Sequence, residues 1–170
     1  MATTATSRLP DRRDALLIAA AAVAVNLIGA LGVPFTATQS AWFTSLELPA
    51  FYPPGWAFGV VWSVLYALCG AAAALVYLAG RDGAAPAGRV RTALALFGVQ
   101  LAVNVAWSPT FWGLERADLG LAVLAVLLPL VAATILLFDR VDRRAAALLV
   151  PYLAWVCFAT ALNYAIWALN

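Results

Sequence analysis

Five uncharged apolar stretches constrain the fold of this chain more than any other feature. They cover residues 15–35, 55–80, 92–114, 119–138 and 145–170. A helix needs about 20 apolar residues to cross the hydrocarbon core of a bilayer, and each stretch is at least about that long. Hydrophobic residues make up 65% of the chain and charged residues 11%, whereas a soluble domain is about half apolar and a quarter charged. The sequence also lacks the short alternating strands of a membrane barrel.

These stretches predict an all-α membrane protein, a bundle of five transmembrane helices. Residues 15–170 are predicted to form one domain, preceded by a short N-terminal tail at residues 1–14. Residues 34–54 form the longest connection and are rich in aromatic side chains. Within this long aromatic loop between helices 1 and 2, residues 40–48 are predicted to form a short helix. Its length and aromatic content favour a lid over one end of the bundle, with an interfacial aromatic belt as the alternative.

The arginines predict how the bundle is oriented. The chain has ten cationic residues and no lysine, and only Arg116 falls in the turn between the third and fourth spans. The other nine flank the opposite ends of the spans: Arg8, Arg12, Arg13, Arg81, Arg89, Arg91, Arg140, Arg143 and Arg144. The positive-inside rule therefore predicts a cytoplasmic N-terminus and a C-terminus outside. The residue bias indicates a prokaryotic cell membrane, and a net charge of +2 gives no sign of a nucleic-acid partner.

Several kinds of chemistry lack the residues that they need. The chain has no histidine and its single methionine is the first residue, which argues against a haem held by His or Met and against a His-based metal site. Cys69 and Cys157 are predicted to be buried small hydrophobic residues. All carboxylates lie in loops or at span ends, whereas proton-coupled transporters place ionisable groups inside the membrane. We therefore expect no metal and no required cofactor.

The second and third spans each carry a patterned face. Residues at steps of three and four form one face of the second span, with three large aromatic side chains at its centre: Gly55, Phe58, Trp62, Tyr66 and Cys69. A membrane helix does not need indole and phenol groups at mid-depth for stability, so this face indicates a site for a flat, hydrophobic ligand. On the third span, Gln100, Asn104 and Trp107 share a face that predicts an internal polar site. The alternative is that Asn104 only bonds a neighbouring backbone carbonyl.

The opposite face of the third span consists of small residues. Gly98, Ala102 and Ala106 recur every four positions, a pattern that lets membrane helices approach closely. This seam predicts a homodimer, and packing within the protomer is the alternative.

The fifth span adds a third aromatic element, in which Trp155 is the predicted pocket wall. Its stripe is predicted to contain Pro151, Trp155, Ala159, Leu162 and Ile166. Tyr164 and Trp167 lie near the predicted outer end, where tryptophan and tyrosine commonly anchor a helix at the membrane interface.

The aromatic motifs of the spans together resemble the TspO/MBR family of tryptophan-rich sensory and translocator proteins. They are Pro53-Pro54-x-Trp56-x5-Trp62-x3-Tyr66, Asn104-x2-Trp107-x-Pro109-x-Phe111, and Pro151-Tyr152-x2-Trp155-x2-Phe158-Ala159-Thr160-x-Leu162-Asn163-Tyr164. The resemblance implies a five-helix bundle, often dimeric, with a pocket that the first loop closes. The implied ligands are porphyrins and isoquinoline-type molecules.

The resemblance also implies site residues. The family's pocket tryptophans correspond to Trp62 and Trp155, its asparagine to Asn104, its small residue to Ala159, and its loop aromatic to Phe43, which lacks a tyrosine hydroxyl. With the aromatic faces described above, the predicted ligand-binding residues are Trp62, Trp155, Asn104, Phe43, Ala159, Trp107, Phe58, Tyr66 and Trp42. The sterol motif of animal members begins with Leu162-Asn163-Tyr164, but no basic residue completes it.

Three function classes are compatible with this pattern. The favoured interpretation is a membrane receptor or sensor that binds tetrapyrroles and regulates their metabolism or a stress response. The alternatives are a passive transporter of the same ligands and a protein that degrades porphyrin with light or oxygen. The sequence supplies no base, nucleophile or metal site for turnover, which weighs against an enzyme.

Overall fold

The computed structural model describes residues 11–170, of which 83% are helical and none lies in a strand. The helices are α1 Arg12–Gly29, α2 Ala41–Ser45, α3 Gly55–Arg81, α4 Ala87–Ser108, α5 Ala117–Asp139 and α6 Arg143–Leu169. All except α2 are long and apolar enough to cross a membrane. The predicted all-α bundle with five spans is confirmed.

The first helix begins inside the predicted tail. α1 starts at Arg12 because the Asp11 carboxylate accepts hydrogen bonds from the backbone N–H groups of Arg13 and Asp14, at 2.8 and 2.9 Å. The Asp11 N–H donates in return to the Asp14 carboxylate at 3.4 Å, which completes a capping box. The backbone N–H of Asp14 contributes most to lowering the pKa of Asp11. The rest of the predicted tail, residues 1–10, lies outside the described residues.

Prolines set the other end of α1 and the start of α3. α1 continues as a 3₁₀ turn at Ala30–Phe35 that contains Pro34. α3 begins directly after Pro53 and Pro54, where the fixed φ of proline favours extended backbone before the helix. Between them, the Ser40 hydroxyl caps the predicted short helix, accepting from the N–H of Phe43 at 3.1 Å.

The bundle has two ends of different character. Five helix termini carry the described arginines other than Arg116, and we call this the arginine end; the lid end is the opposite one, beneath residues 36–54. At the arginine end, Arg81 of α3 forms an ion pair with Asp14 of α1 at 2.9 Å. Further along these two helices a Cβ at Gly70 would overlap the backbone of Ala21. Close packing of α1 on α3 therefore depends on glycine at this position.

The main core lies towards the arginine end. Its members include Ala72, Val76, Ala93, Leu127 and Phe138, each with no exposed surface. They come from α3, α4 and α5, so these helices pack closely against one another in this half.

Exposure at the surface of the bundle resolves one prediction and corrects two others. Gly98, Ala102 and Ala106 all lie on the outside of the bundle, and a Cβ at Gly98 would meet no atom within 4 Å. The seam is therefore free for a partner and does not pack within the protomer. The burial predicted for Cys157 is wrong, because this side chain is exposed while Cys69 is buried. Pro151 is also exposed, since the inward face of α6 passes through Tyr152 instead.

Candidate ligand-binding site

A cavity of about 420 Å³ lies between α1, α3, α4 and α6 at the lid end, below residues 36–54. This volume is within the range of small-molecule sites, roughly 300–1,000 Å³. Eight of the nine predicted ligand-binding residues line it: Trp62, Trp155, Asn104, Phe43, Ala159, Trp107, Phe58 and Tyr66. The structure thus brings residues from four separate segments together around one space.

Two tryptophans form adjoining walls at a right angle. The rings of Trp62 and Trp155 have centroids 6.4 Å apart and an interplanar angle of 87°. Trp62 also stacks on Tyr66 at 5.2 Å and 27°, and Phe58 packs against Trp155 at 6.0 Å. A planar ligand that stacks on one indole would meet the other with its edge, an arrangement that aromatic rings favour.

A buried polar pair holds the wall between α3 and α4. The phenol of Tyr66 donates a hydrogen bond to Oδ1 of Asn104 at 2.6 Å. The side chain of Asn104 is therefore bound by another pocket residue rather than by a backbone carbonyl alone. This bond fixes the Tyr66 ring, which in turn supports the Trp62 ring.

A second pair holds the wall between α4 and α6. Nε1 of Trp107 donates to Oδ1 of Asn163 at 3.1 Å, and Nδ2 of Asn163 donates to the carbonyl of Ala117 at 2.8 Å. Trp107 stacks on Phe111 at 4.9 Å and 18°. Asn163 connects three helices in this way. An amide within an apolar span is the sequence signal that pointed to this residue.

Gln100 lies beneath the cavity rather than in its wall. The buried Tyr152 phenol donates to Oε1 of Gln100 at 2.8 Å. The predicted polar face of α4 does point inward, but its first member joins α4 to α6 below the site.

One polar atom next to the cavity has no partner among the described residues. Nε1 of Trp155 is buried without a hydrogen bond, whereas most buried polar groups are paired. A ligand oxygen that reached this N–H would satisfy it.

Residues 36–54 cover the cavity with aromatic side chains. Phe43 packs on Trp112 at 4.5 Å and lies 6.2 Å from Tyr52, and Tyr52 lies 5.5 Å from Phe58. Trp42 is the predicted residue that does not line the cavity. Its ring packs edge-on against Phe111 at 5.4 Å, so it supports the cavity wall from behind. Successive residues of α2 point in different directions, which is why Phe43 lines the cavity and Trp42 does not.

The mouth of the cavity lies between α1 and α3. The exposed lining residues come from the end of α1, the turns that follow it and the start of α3: Ala30, Val33, Thr36, Thr38, Gly55, Gly59 and Ser63. A Cβ at Gly55 or Gly59 would meet nothing within 4 Å. These two glycines therefore leave the α3 side of the mouth open.

The lining has no charged side chain in the described chain, and its titratable groups there are the phenols of Tyr52 and Tyr66. Burial raises the pKa of Tyr52, so this phenol stays protonated at neutral pH. The site can stack a ligand, exclude water and offer N–H and O–H donors.

Further lining residues that the sequence prediction did not include are Asn26, Tyr52, Phe111, Trp112 and Asn163. The lone amide of Asn26 within the first apolar stretch was an available signal.

The chain is similar to known proteins over most of its length. The model of the TspO/MBR family matches residues 18–168. Protein CrtK of Rhodobacter capsulatus is 43% identical over 149 residues, which cover 87% of this chain and 89% of that protein. The tryptophan-rich sensory protein of Cereibacter sphaeroides is 37% identical, covering 88% and 92% respectively. The human translocator protein is 36% identical, covering 76% and 75%.

Proposed function

This chain belongs to the TspO/MBR family, and from that premise we propose that it is a multi-pass membrane receptor or sensor for porphyrins and similar flat hydrophobic ligands. The observation that carries the proposal is the cavity walled by Trp62 and Trp155 at right angles. Binding there would regulate tetrapyrrole metabolism or a stress response.

Stacking on aromatic side chains adds to the burial of apolar surface in this proposal. Each aromatic contact contributes about 0.5–1.5 kcal/mol beyond the burial of apolar area, so several of them together support micromolar affinity. The chain has no histidine to bind a porphyrin metal, and the porphyrin is a ligand rather than a required cofactor. The Trp155 N–H, which lacks a partner, and Asn104 orient polar groups of the ligand.

The carboxylates of a porphyrin stay outside the cavity. The described lining offers no cation, and burying an unpaired carboxylate costs far more than stacking returns. The mouth between α1 and α3 lets the macrocycle enter while its propionates remain at the membrane surface.

A titration of the purified protein with protoporphyrin IX tests this function. We expect saturable quenching of tryptophan fluorescence, displaced by an isoquinoline carboxamide and accompanied by no loss of porphyrin absorbance in light. Absorbance loss that needs the protein would instead support degradation, and uptake of porphyrin into proteoliposomes would support the passive transporter. Absence of saturable quenching would refute binding in this cavity.

Dimer formation through the seam Gly98, Ala102 and Ala106 is part of the proposal, because the seam is exposed. Ala102→Leu places a bulky side chain where two helices would approach, so we expect a shift from dimer to monomer in detergent, measured by light scattering after size exclusion. Val126→Leu, at an exposed position on α5, should leave the dimer intact. A dimer unchanged by Ala102→Leu would show that copies associate elsewhere.

We also propose that the arginine end faces the cytoplasm. A reporter active only in the cytoplasm should give a signal when it is inserted at Gly83 and none when it is fused after Asn170. Equal signals from both positions would contradict an odd number of spans between Gly83 and Asn170, and so the topology of five spans.

A further inference from the structure

Residues 36–54, which we call the lid segment, are attached to the bundle in two ways. Aromatic contacts hold it over the cavity, through Phe43 on Trp112 at 4.5 Å and Phe51 near Phe158 at 6.3 Å. Its polar attachment to the bundle is through one residue, Asn170, at the end of α6. Within residues 11–170, no other hydrogen bond joins the lid segment to a residue more than four positions away.

The Asn170 amide forms a two-way clamp on the backbone of Glu47. Oδ1 of Asn170 accepts from the Glu47 N–H at 2.9 Å, and Nδ2 donates to the Glu47 carbonyl at 3.1 Å. Nδ2 also donates to the carbonyl of Ile166 at 2.8 Å. A flipped amide would place its nitrogen against an N–H and its oxygen against two carbonyls, so only one orientation satisfies all three bonds.

This clamp lies beside the cavity wall. Ile166, whose carbonyl orients the Asn170 amide, is a buried lining residue. On the other side of the clamp, Glu47 lies between Phe43 and Tyr52, the two aromatic lid residues that line the cavity. The clamp therefore fixes the middle of the lid segment relative to the wall that the segment covers.

We propose that Asn170 is a positioning residue that latches the lid segment and so controls how fast a ligand enters and leaves the cavity. The inference rests on the proposed function, because it assigns a role in ligand exchange at that same site. Asn170 is exposed and lines no part of the cavity, so its effect on a ligand is exerted through Glu47 and the lid segment.

The position of the latch determines which rate constants it affects. Solvent-exposed hydrogen bonds are weak individually, so a latch made of two can open without unfolding the bundle. Removing it makes the open lid more common and speeds both entry and release. The pocket walls do not change, and the dissociation constant therefore changes much less than either rate constant.

The test compares Asn170→Ala with Leu169→Ala, the matched control one position earlier. The Leu169 side chain is exposed and has no polar atom that could bond to the lid segment. Hydrogen–deuterium exchange on the ligand-free, full-length protein in detergent reports the Glu47 amide directly, because that N–H is one of the latched groups. Stopped-flow quenching with protoporphyrin IX reports association and dissociation.

We expect Asn170→Ala to exchange faster around Glu47 and to raise both rate constants roughly threefold to tenfold, the factor that one or two exposed hydrogen bonds contribute. Leu169→Ala should match wild type in both measurements. Asn170→Asp keeps the acceptor for the Glu47 N–H but sets a carboxylate against two carbonyls, so it should behave like Asn170→Ala.

Unchanged exchange around Glu47 would overturn the latch, and faster exchange with unchanged rate constants would overturn its control of ligand exchange. A rise in dissociation alone, with a matching loss of affinity, would show that Asn170 acts on the pocket itself and would also overturn it. If wild-type protein bound no porphyrin, the proposed function and the control of exchange would both fail. The exchange measurement would still decide whether Asn170 holds the lid segment.

Discussion

The two halves of the bundle use their large side chains in opposite ways. Towards the arginine end, Val76, Leu127 and Phe138 have no exposed surface and fill the space between helices. At the lid end, Trp62 and Trp155 are only partly buried and surround a cavity of about 420 Å³. Close packing in one half thus leaves the half lined by aromatic rings free to keep a space open for a ligand.

Hydrogen bonds explain how the aromatic half stays open without collapsing. The side chain of Tyr66 is bonded to Asn104 at 2.6 Å and that of Trp107 to Asn163 at 3.1 Å. Each bond joins residues of two different helices and fixes an aromatic ring in the cavity wall. Because an unpaired polar group is costly in a membrane interior, these bonds resist rearrangement of the walls.

Among substitutions that distinguish the two halves, one in the packed core should have the largest effect on the free energy of unfolding. Leu127→Ala removes a fully buried side chain and should lower the free energy of unfolding by about 2–5 kcal/mol. Porphyrin affinity of the folded fraction should stay within a factor of about two, since Leu127 does not line the cavity. Unfolding in denaturing detergent, followed by circular dichroism, measures the first quantity, and fluorescence quenching measures the second. A large loss of affinity with unchanged stability would contradict the division of roles.

A smaller effect should come from the hydrogen bond in the cavity wall. Tyr66→Phe keeps the ring that stacks on Trp62 but leaves Oδ1 of the buried Asn104 without its donor. The free energy of unfolding should fall by about 1–3 kcal/mol, the cost of a buried group left unsatisfied. Ser63→Ala is the control, because Ser63 bonds only the carbonyl of Gly59 within its own helix. Equal stability of the two variants would show that the Tyr66 bond does not hold the wall.

Much of this architecture could be predicted from the sequence, because it depends on local periodicity. The length of the uncharged stretches predicted the five spans, and the spacing of Phe58, Trp62 and Tyr66 predicted that they share one face of a helix. Neither periodicity nor composition distinguishes the bundle interior from lipid, since both are apolar. The misplacement of Cys157 follows from this.

Contacts between distant parts of the chain could not be predicted in the same way. The bond between Asn170 and Glu47 joins residues 123 positions apart and depends on how α6 ends beside the lid segment. Trp42, which is predicted with the loop aromatic Phe43 to bind the ligand, lies outside the cavity for a similar reason. The direction of each side chain depends on how the short helix α2 docks on the bundle.

The most direct measurement of the central claim compares porphyrin affinity after Trp62→Ala and after Trp56→Ala. Both tryptophans lie on α3, but Trp62 lines the cavity whereas Trp56 is 72% exposed on another face. Trp62→Ala should weaken binding by about 1–3 kcal/mol, the loss expected when a stacking surface is removed. Trp56→Ala should change it little, with circular dichroism showing that both variants are folded. Wild-type affinity in folded Trp62→Ala protein, or equal losses in both variants, would contradict binding between the two indole walls.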